Sequence, residues 1–573
     1  MKKNNSLLLS KTKYLDGLKC LKLLWYEYNR KGEIPELDAN TKAIMEQGKA
    51  VGKLAHTRFP EGIILEREYI PDKHSKNSLA ALKLQKPLFE AGFVFEHSYA
   101  LADILDPVGN SKWDLIEVKS STRVKDEHYY DVAFQKYTYK GAGLHIRKCF
   151  IMHINSQYKR KGDIDPEKLF KKQDVTEEAD KIIPTINERI ISMIEIIQEG
   201  GIPSVKIGEH CISPYQCPLR DICWNFLPEK GNILCLHSPK EKAYEQLERG
   251  VLKISEIPDS EPLTDKQKIQ VASHRSGEPH IDKEGIKKFL DGLEYPMYFL
   301  DFETISPVIP IYDNSRPFER IPFQYSVYVV KNEGMKPEHH SYLAPGDKDP
   351  RYEILKQLKE LLGTSGSIIA YNATFEKTVL RQASEVYSEY QGWVKSIEKR
   401  IVDLLAPFRT FLFYHPDQEG SSSLKKVLPV LTESNYDNME ISDGEMASLE
   451  YFRVTFSEET DEKERQRIRK ALEKYCDLDT KGMIDILKEL EKMSNESVAS
   501  HGGKMWEKVH DSQKGWYVVR KEGDKELERH FVGNYCDVSV EATSEDTADI
   551  CIYYLNQGLT FEELIILEPW IKS

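Results

Sequence analysis

Apolar residues recur along this chain in two rhythms. In Tyr99-Ala-Leu-Ala-Asp103-Ile-Leu and in Trp113-Asp-Leu-Ile-Glu117-Val-Lys119 the pattern is that of strands. Between them, Asp106-Pro-Val-Gly109-Asn110-Ser is turn chemistry, so the pair predicts a hairpin. Met297-Tyr-Phe-Leu-Asp301-Phe-Glu303-Thr304 reads as a more apolar strand, and Ser367-Ile-Ile-Ala-Tyr-Asn372 as another. Helical spacing marks the stretches around His56 and residues 135–139, and a long run from about 461 to 493. Residues 240–285 are polar and broken by Pro258, Pro262 and Pro279. The chain of 573 residues is too long for one core. It reads as an α/β multidomain protein: a first domain at 1–235, a linker or bridge at 236–290, a second α/β domain at 291–495 and a small α+β appendage at 496–573.

Composition narrows the class. With 40% hydrophobic and 30% charged residues the chain is of ordinary globular type. No run of eighteen apolar residues occurs, which predicts no membrane span. Met1-Lys2-Lys3 followed only by Leu7-Leu8-Leu9 falls short of a secretory signal. Nine cysteines are an odd number, against a disulfide framework, so the expected location is cytoplasmic with cysteines free or metal-bound. The net charge of −13 is unusual for a protein expected to bind nucleic acid. Residues 119–161, however, hold ten Lys/Arg against three Asp/Glu, and residues 1–31 eight against two. Such stretches either follow a phosphate backbone or form a solvated lysine surface.

Glu117 and Lys119 fall on one strand face, and a turn at Gly109-Asn110 sets Asp103 opposite Glu117. Two carboxylates held together raise each other's pKa, a conflict that a divalent cation resolves. The Asp…Glu-x-Lys pattern, with His56 upstream on a helical stretch and Gln135-Lys-Tyr-Thr-Tyr139 downstream, resembles the RecB-like branch of the PD-(D/E)xK (restriction-endonuclease-like) nucleases. That resemblance implies that His56, Asp103 and Glu117 hold Mg2+ or Mn2+. It also implies that Lys119 assists the nucleophile while Gln135 and Tyr139 position substrate.

Cys211, Cys217 and Cys223 stand within thirteen residues broken by prolines, and Cys20 lies far upstream. Three clustered thiols bind zinc or an iron–sulfur cluster equally well. One N-terminal and three C-terminal cysteines around such a core resemble the iron–sulfur nucleases, among them the CRISPR-associated RecB-like exonucleases and the AddB-type helicase–nucleases. The resemblance implies a [4Fe-4S] cluster on Cys20, Cys211, Cys217 and Cys223. Those families commonly carry a Cys-x2-Cys where this chain has two Cys-x5-Cys intervals, which leaves zinc, or a contribution from His210, open.

In the second domain Asp301 and Glu303 share a strand face, and two metal ions about 4 Å apart suit such an acidic pair. Glu376 opens a helical segment, and Tyr475 and Asp479 lie one helical turn apart. Three acidic motifs in this order resemble the DEDD exonucleases, which have the DnaQ-like, ribonuclease H-like fold, in the subclass with tyrosine in the third motif. The resemblance implies that Asp301, Glu303, Glu376 and Asp479 hold two ions and that Tyr475 aligns the water. The family has Asp where this chain has Glu376; Asp403 is a candidate to compensate, and Asp477 competes with Asp479. The pairing of the two domains also resembles a bacterial family known as a domain of unknown function. The expectation is a metal-dependent nuclease acting on DNA, with RNA as a second substrate class, in repair, recombination or defence against foreign DNA. The alternative is a nucleic-acid-binding scaffold with one or both sites inactive.

Overall fold

The computed structural model describes residues 7–495, apart from 438 and 458, and the backbone of five strands between 505 and 542. The chain divides into two compact units, Met1–Glu491 and Lys492–Ser573. The protein is α/β and multidomain, with mixed sheets. No helix among the described residues is long and apolar enough to cross a membrane.

The first unit holds two large sheets. The N-terminal one has seven strands: β1 (Leu9–Ser10), β2 (Ile63–Ile64), β3 (Leu88–Phe95), β4 (Ser98–Pro107), β5 (Lys112–Lys119), β6 (His145–Ile154) and β7 (Phe170–Asp174). They run in the order β2-β3-β4-β5-β6-β7, with β1 parallel to the start of β4. The expected hairpin is β4–β5, antiparallel with Ile104 opposite Ile116, and its turn carries Gly109, Asn110 and Ser111 at φ +81°, +52° and +55°. The left-handed region is costly for most residues and mild for Gly and Asn, which explains how this sequence reverses there. Helix Asp126–Gly141 crosses one face over a core that includes Tyr14, Phe93, Leu115 and Phe134.

Residues 236–290 contain three short helices, Lys240–Glu248, Asp265–Ser276 and Lys283–Leu290, and strand β8 (His280–Ile281). The second large sheet follows: β9 (Met297–Ile305), β10 (Ile321–Val330), β11 (Glu338–Leu343), β12 (Ile368–Ala370) and β13 (Ile401–Asp403), in the order β11-β10-β9-β12-β13. β14 (Phe413–Tyr414) returns to pair with β8. On β9 the alternation is strict: Tyr298, Leu300 and Phe302 enter the core under helices Arg351–Leu361 and Ala373–Val386. Asp301 and Glu303 therefore face the opposite side, toward the long helix Glu462–Asn495.

The segment after β9 ties the two sheets together. Val308 and Ile309 pack with Val51, Ala55, Phe89 and Ile116 of the N-terminal half. Arg160 donates through Nη1 to the carbonyls of Pro310 (3.1 Å) and Ile311 (2.7 Å), and its amide donates to Ser315 (3.1 Å). In the second unit the strands Met505–Asp511, Gly515–Glu522 and Lys525–Val532 form an antiparallel sheet, and Tyr535–Asp537 pairs with Val540–Ala542. The rest of the expected appendage, including Trp570, lies outside the described residues.

Candidate functional site

Asp301, Glu303 and Asp479 each bring one carboxylate oxygen within 4.8 Å of the others, the only such group of potential metal ligands among the described residues. β9 supplies the first two and the helix Glu462–Asn495 the third. Burial pushes Asp301 well up, with the Asp479 charge adding to it. Burial, then Asp301 and Asp479, do the same to Glu303. Burial raises Asp479 to about 6, opposed by hydrogen bonds from Tyr436 and Tyr475. Three carboxylates this close, two buried and Asp301 half-buried, cannot ionise together without a counter-charge, and a divalent cation is the compact way to provide one. The donor set, three hard oxygens, suits Mg2+ or Mn2+.

The surrounding residues sort by what they touch. Tyr475 is buried and bonds Asp479, so the expected tyrosine does reach the triad. Cys476 Sγ lies 3.4 Å from Asp301 Oδ2. Glu376, 1% exposed in the first turn of its helix, has an oxygen with no hydrogen-bond partner. Burial and the Asp301 charge drive its carboxyl well up. Asp477 turns away to Tyr328 (2.7 Å) and His339 (3.4 Å). Asp403 accepts the amides of Asn372 (2.9 Å), Ala373 (3.3 Å) and Leu405 (3.1 Å), which makes it a loop anchor. Sequence reasoning missed Tyr436, which sits in a loop with no distinguishing signal.

The hairpin cluster is built differently. Glu117, 2% exposed, accepts from Lys11 (2.7 Å), Lys119 (2.8 Å) and Gln135 (2.7 Å). Asp131 pairs with Lys119 and with Lys11 (3.4 Å), and accepts from Gln135 at 2.9 Å. Burial and Asp103 would raise Glu117, yet the two lysines outweigh them and hold it below its ordinary value. Burial disfavours the Lys119 charge, but Asp131 and Glu117 keep it an ammonium. Lys119 is thus suited to orienting a nucleophile or a phosphate rather than to removing a proton. Asp103 Oδ2 accepts the Val118 amide at 2.7 Å. The His56 ring stacks on Phe89 at 3.9 Å and contacts the Asp103 main chain. These three are neighbours but do not form a tight ligand group like the triad, and ammonium groups already engage Glu117. Tyr139 lies in the core, its hydroxyl donating to Ala91 O at 3.2 Å. Asp131 was legible as one turn before Gln135; Lys11, 106 residues from Glu117, was not.

Cys20, Cys211, Cys217 and Cys223 line a single cavity with His210, and all four are free thiols. His210 Nε2 is 3.6 Å from Cys211 Sγ. Helix Lys11–Lys19 runs from Lys11 at the hairpin cluster to Cys20 at this cavity.

A groove of about 1610 Å³ reaches the triad at Glu303, with Lys425 also in its lining. Its walls include helix Gly444–Phe456 and, from the N-terminal half, helix Ala39–His56.

Comparison with known proteins falls on part of this architecture. The chain is similar to an uncharacterized protein of Mycoplasma genitalium, MG366, at 29% identity over 208 residues, covering 33% of this chain and 31% of that protein. It is similar also to the MG366 homolog of Mycoplasma pneumoniae (28% over 230 residues, 36% and 34%) and to the uncharacterized protein UU173 of Ureaplasma parvum (26% over 221 residues, 35% and 32%). The chain thus spans about a third of the length of the curated relatives it matches. Residues 298–423, from β9 with its two acids to just short of Lys425, match a domain of unknown function, DUF2779.

Proposed function

We propose that the chain is a metal-dependent nuclease that hydrolyses phosphodiester bonds in DNA, with RNA as a second substrate class. In this reading residues 1–235 are a RecB-like PD-(D/E)xK domain and residues 291–495 a DnaQ-like exonuclease domain, acting in repair, recombination or defence. The observation that carries it is the convergence of Asp301, Glu303 and Asp479 within 4.8 Å, with a buried Glu376 whose Oε2 has no partner and which feels the Asp301 charge. Like charges set together on so apolar a strand do not add stability, since each is costly there. Asp301, Glu303, Asp479 and Glu376 would hold Mg2+ or Mn2+, which when bound supplies a Lewis acid for water and a counter-charge for phosphate. Tyr475 and Tyr436 orient the Asp479 carboxylate by donating to it. Lys425 adds positive charge toward Glu303 and Asp479. At the hairpin cluster, His56, Asp103 and Glu117 are the ligand candidates, Lys119 the positioning cation and Gln135 the residue that orients Glu117.

The four thiols are the residues that would hold an iron–sulfur cluster, with zinc as the other occupant open to them. They line one cavity together with His210, which is the grouping that either occupant would need. Such a group would clip Cys20 to the 211–223 segment and stabilise the domain.

The test uses anaerobically purified protein, end-labelled single- and double-stranded DNA and RNA, and Mn2+. Metal-dependent degradation is expected. It should fall when Asp301→Asn/Glu303→Gln is combined with Lys119→Ala, and the loaded protein should be coloured. Degradation that survives the triple variant sinks the reading. A second reading, a nucleic-acid-binding scaffold, is favoured at the hairpin cluster by the lysines that engage Glu117. Binding without cleavage in the Asp301→Asn/Glu303→Gln variant would assign that site this role.

A further inference from the structure

The groove that reaches the triad at Glu303 is made by both halves of the chain. Helix Ala39–His56 lines it with Asn40, Ala43, Ile44 and Gln47, at i, i+3, i+4 and i+7, so one helical face looks into it. Ile44 is 58% exposed there, an apolar side chain that no core covers, and Phe452 across the groove is also open. The lining carries five acids, Glu46, Glu303, Asp443, Glu445 and Glu459, against Arg320, Lys425 and Arg453. Arg453 is paired with Glu450 and Glu464, Glu46 with Lys49, and two more of the acids are engaged. Glu445 accepts from Asn40 Nδ2 at 2.7 Å, and Asp443 accepts the Met446 amide as a helix cap, also at 2.7 Å. Arg320 and Lys425 have no carboxylate within 4.0 Å among the described residues, and Arg320 lies over the Phe375 ring at 4.8 Å. Besides Glu303, which ends its floor, and Glu459, the groove thus offers two cations without a carboxylate partner together with exposed apolar and aromatic surfaces.

We infer that helix Ala39–His56 is the far wall of the path to the second site, and that Ile44 and Gln47 position a single nucleic-acid strand there. This rests on the nuclease reading of the triad given above. Phosphates of the strand face Arg320 and Lys425, and unpaired bases lay their flat faces on Phe452 and Ile44; a duplex keeps those faces in its own stack. The Gln47 amide meets the polar edges of the bases. The same helix ends at His56 beside Asp103, so one rigid element borders both acidic clusters.

The test isolates the second site in a Lys119→Ala background. Ile44→Glu and Gln47→Glu place a negative charge in the groove at exposed helical positions, where the fold tolerates them. KM for an end-labelled single-stranded oligonucleotide is expected to rise about fivefold or more, with kcat and Mn2+ saturation unchanged, and Ile44→Leu to restore it. Where turnover is absent, fluorescence anisotropy with the same oligonucleotide reads the same weakening as a higher Kd. Unchanged KM and Kd in both charge variants overturn the inference. If Asp301→Asn/Glu303→Gln leaves degradation intact in this background, the nuclease reading of the triad fails instead. If that pair abolishes degradation while Ile44→Glu binds and turns over normally, only the groove assignment falls.

Discussion

At the scale of single residues, Glu376 separates a shared ligand from a bystander. Its buried oxygen has no partner, and its carboxyl is pushed up first by burial and then by Asp301. Added Mn2+ is expected to raise the Tm of the natural protein and to raise that of Asp301→Asn/Glu303→Gln by clearly less, because a ligand bound only by the folded state stabilises it and the hairpin cluster remains as a second candidate site. Glu376→Gln should diminish that Mn2+ response if the side chain shares the ions; an undiminished response with a higher basal Tm would make it a core acid. His128 gives a pH prediction away from the triad. Burial, with the Lys119 charge second, lowers it to about 4. An imidazole in the unfolded chain titrates near ~6.5, so between those values the unfolded state binds more protons. The stability this neutral His128 confers is present above about pH 6.5 and is lost as pH falls toward 4. His128→Asn keeps an acceptor for the Lys125 amide and should flatten the Tm profile over that range. Superimposable profiles would refute the assignment.

At the scale of elements, the second sheet depends on close backbone approach as much as on alternation. Gly366, two residues before β12, has φ +83°, and a Cβ there would stand 2.0 Å from the Pro296 carbonyl oxygen. β12 pairs directly with β9, which carries Asp301 and Glu303. Gly366→Ala is expected to destabilise by about 2 kcal/mol or more, because neither the backbone conformation nor the neighbouring carbonyl can yield cheaply. Urea unfolding measures this, and an unshifted midpoint contradicts it. The acidic face of β9 was legible in the sequence, since alternation follows from the pleat itself. So was the helical pairing of Tyr475 with Asp479, one turn apart. Whether Asp477 or Asp479 turned inward was not legible, because both lie on the same helix and only its packing against β9 and β10 discriminates.

At the scale of the whole first unit, the segment after β9 makes the two sheets one framework. Arg160 reaches the carbonyls of Pro310 and Ile311, and Val308 and Ile309 enter the N-terminal core. Arg160→Ala should cost about 2 kcal/mol, typical of charge-assisted hydrogen bonds lost from a part-buried site. It should also open residues 306–319 to limited proteolysis; a digestion pattern like that of the natural protein would argue against this coupling role. The sequence by itself determined the strands, the turn at Gly109-Asn110 and the faces on which acids fall, because these depend on local backbone geometry. It also marked the four cysteines, whose shared cavity agrees with their being grouped. Only the tertiary structure decided that Lys11 engages Glu117, that Tyr139 is buried as core and that helix Ala39–His56 lines the groove that reaches Glu303. Such meetings join residues remote along the chain, and they follow from sheet order and helix packing, which no local rhythm of polar and apolar positions encodes.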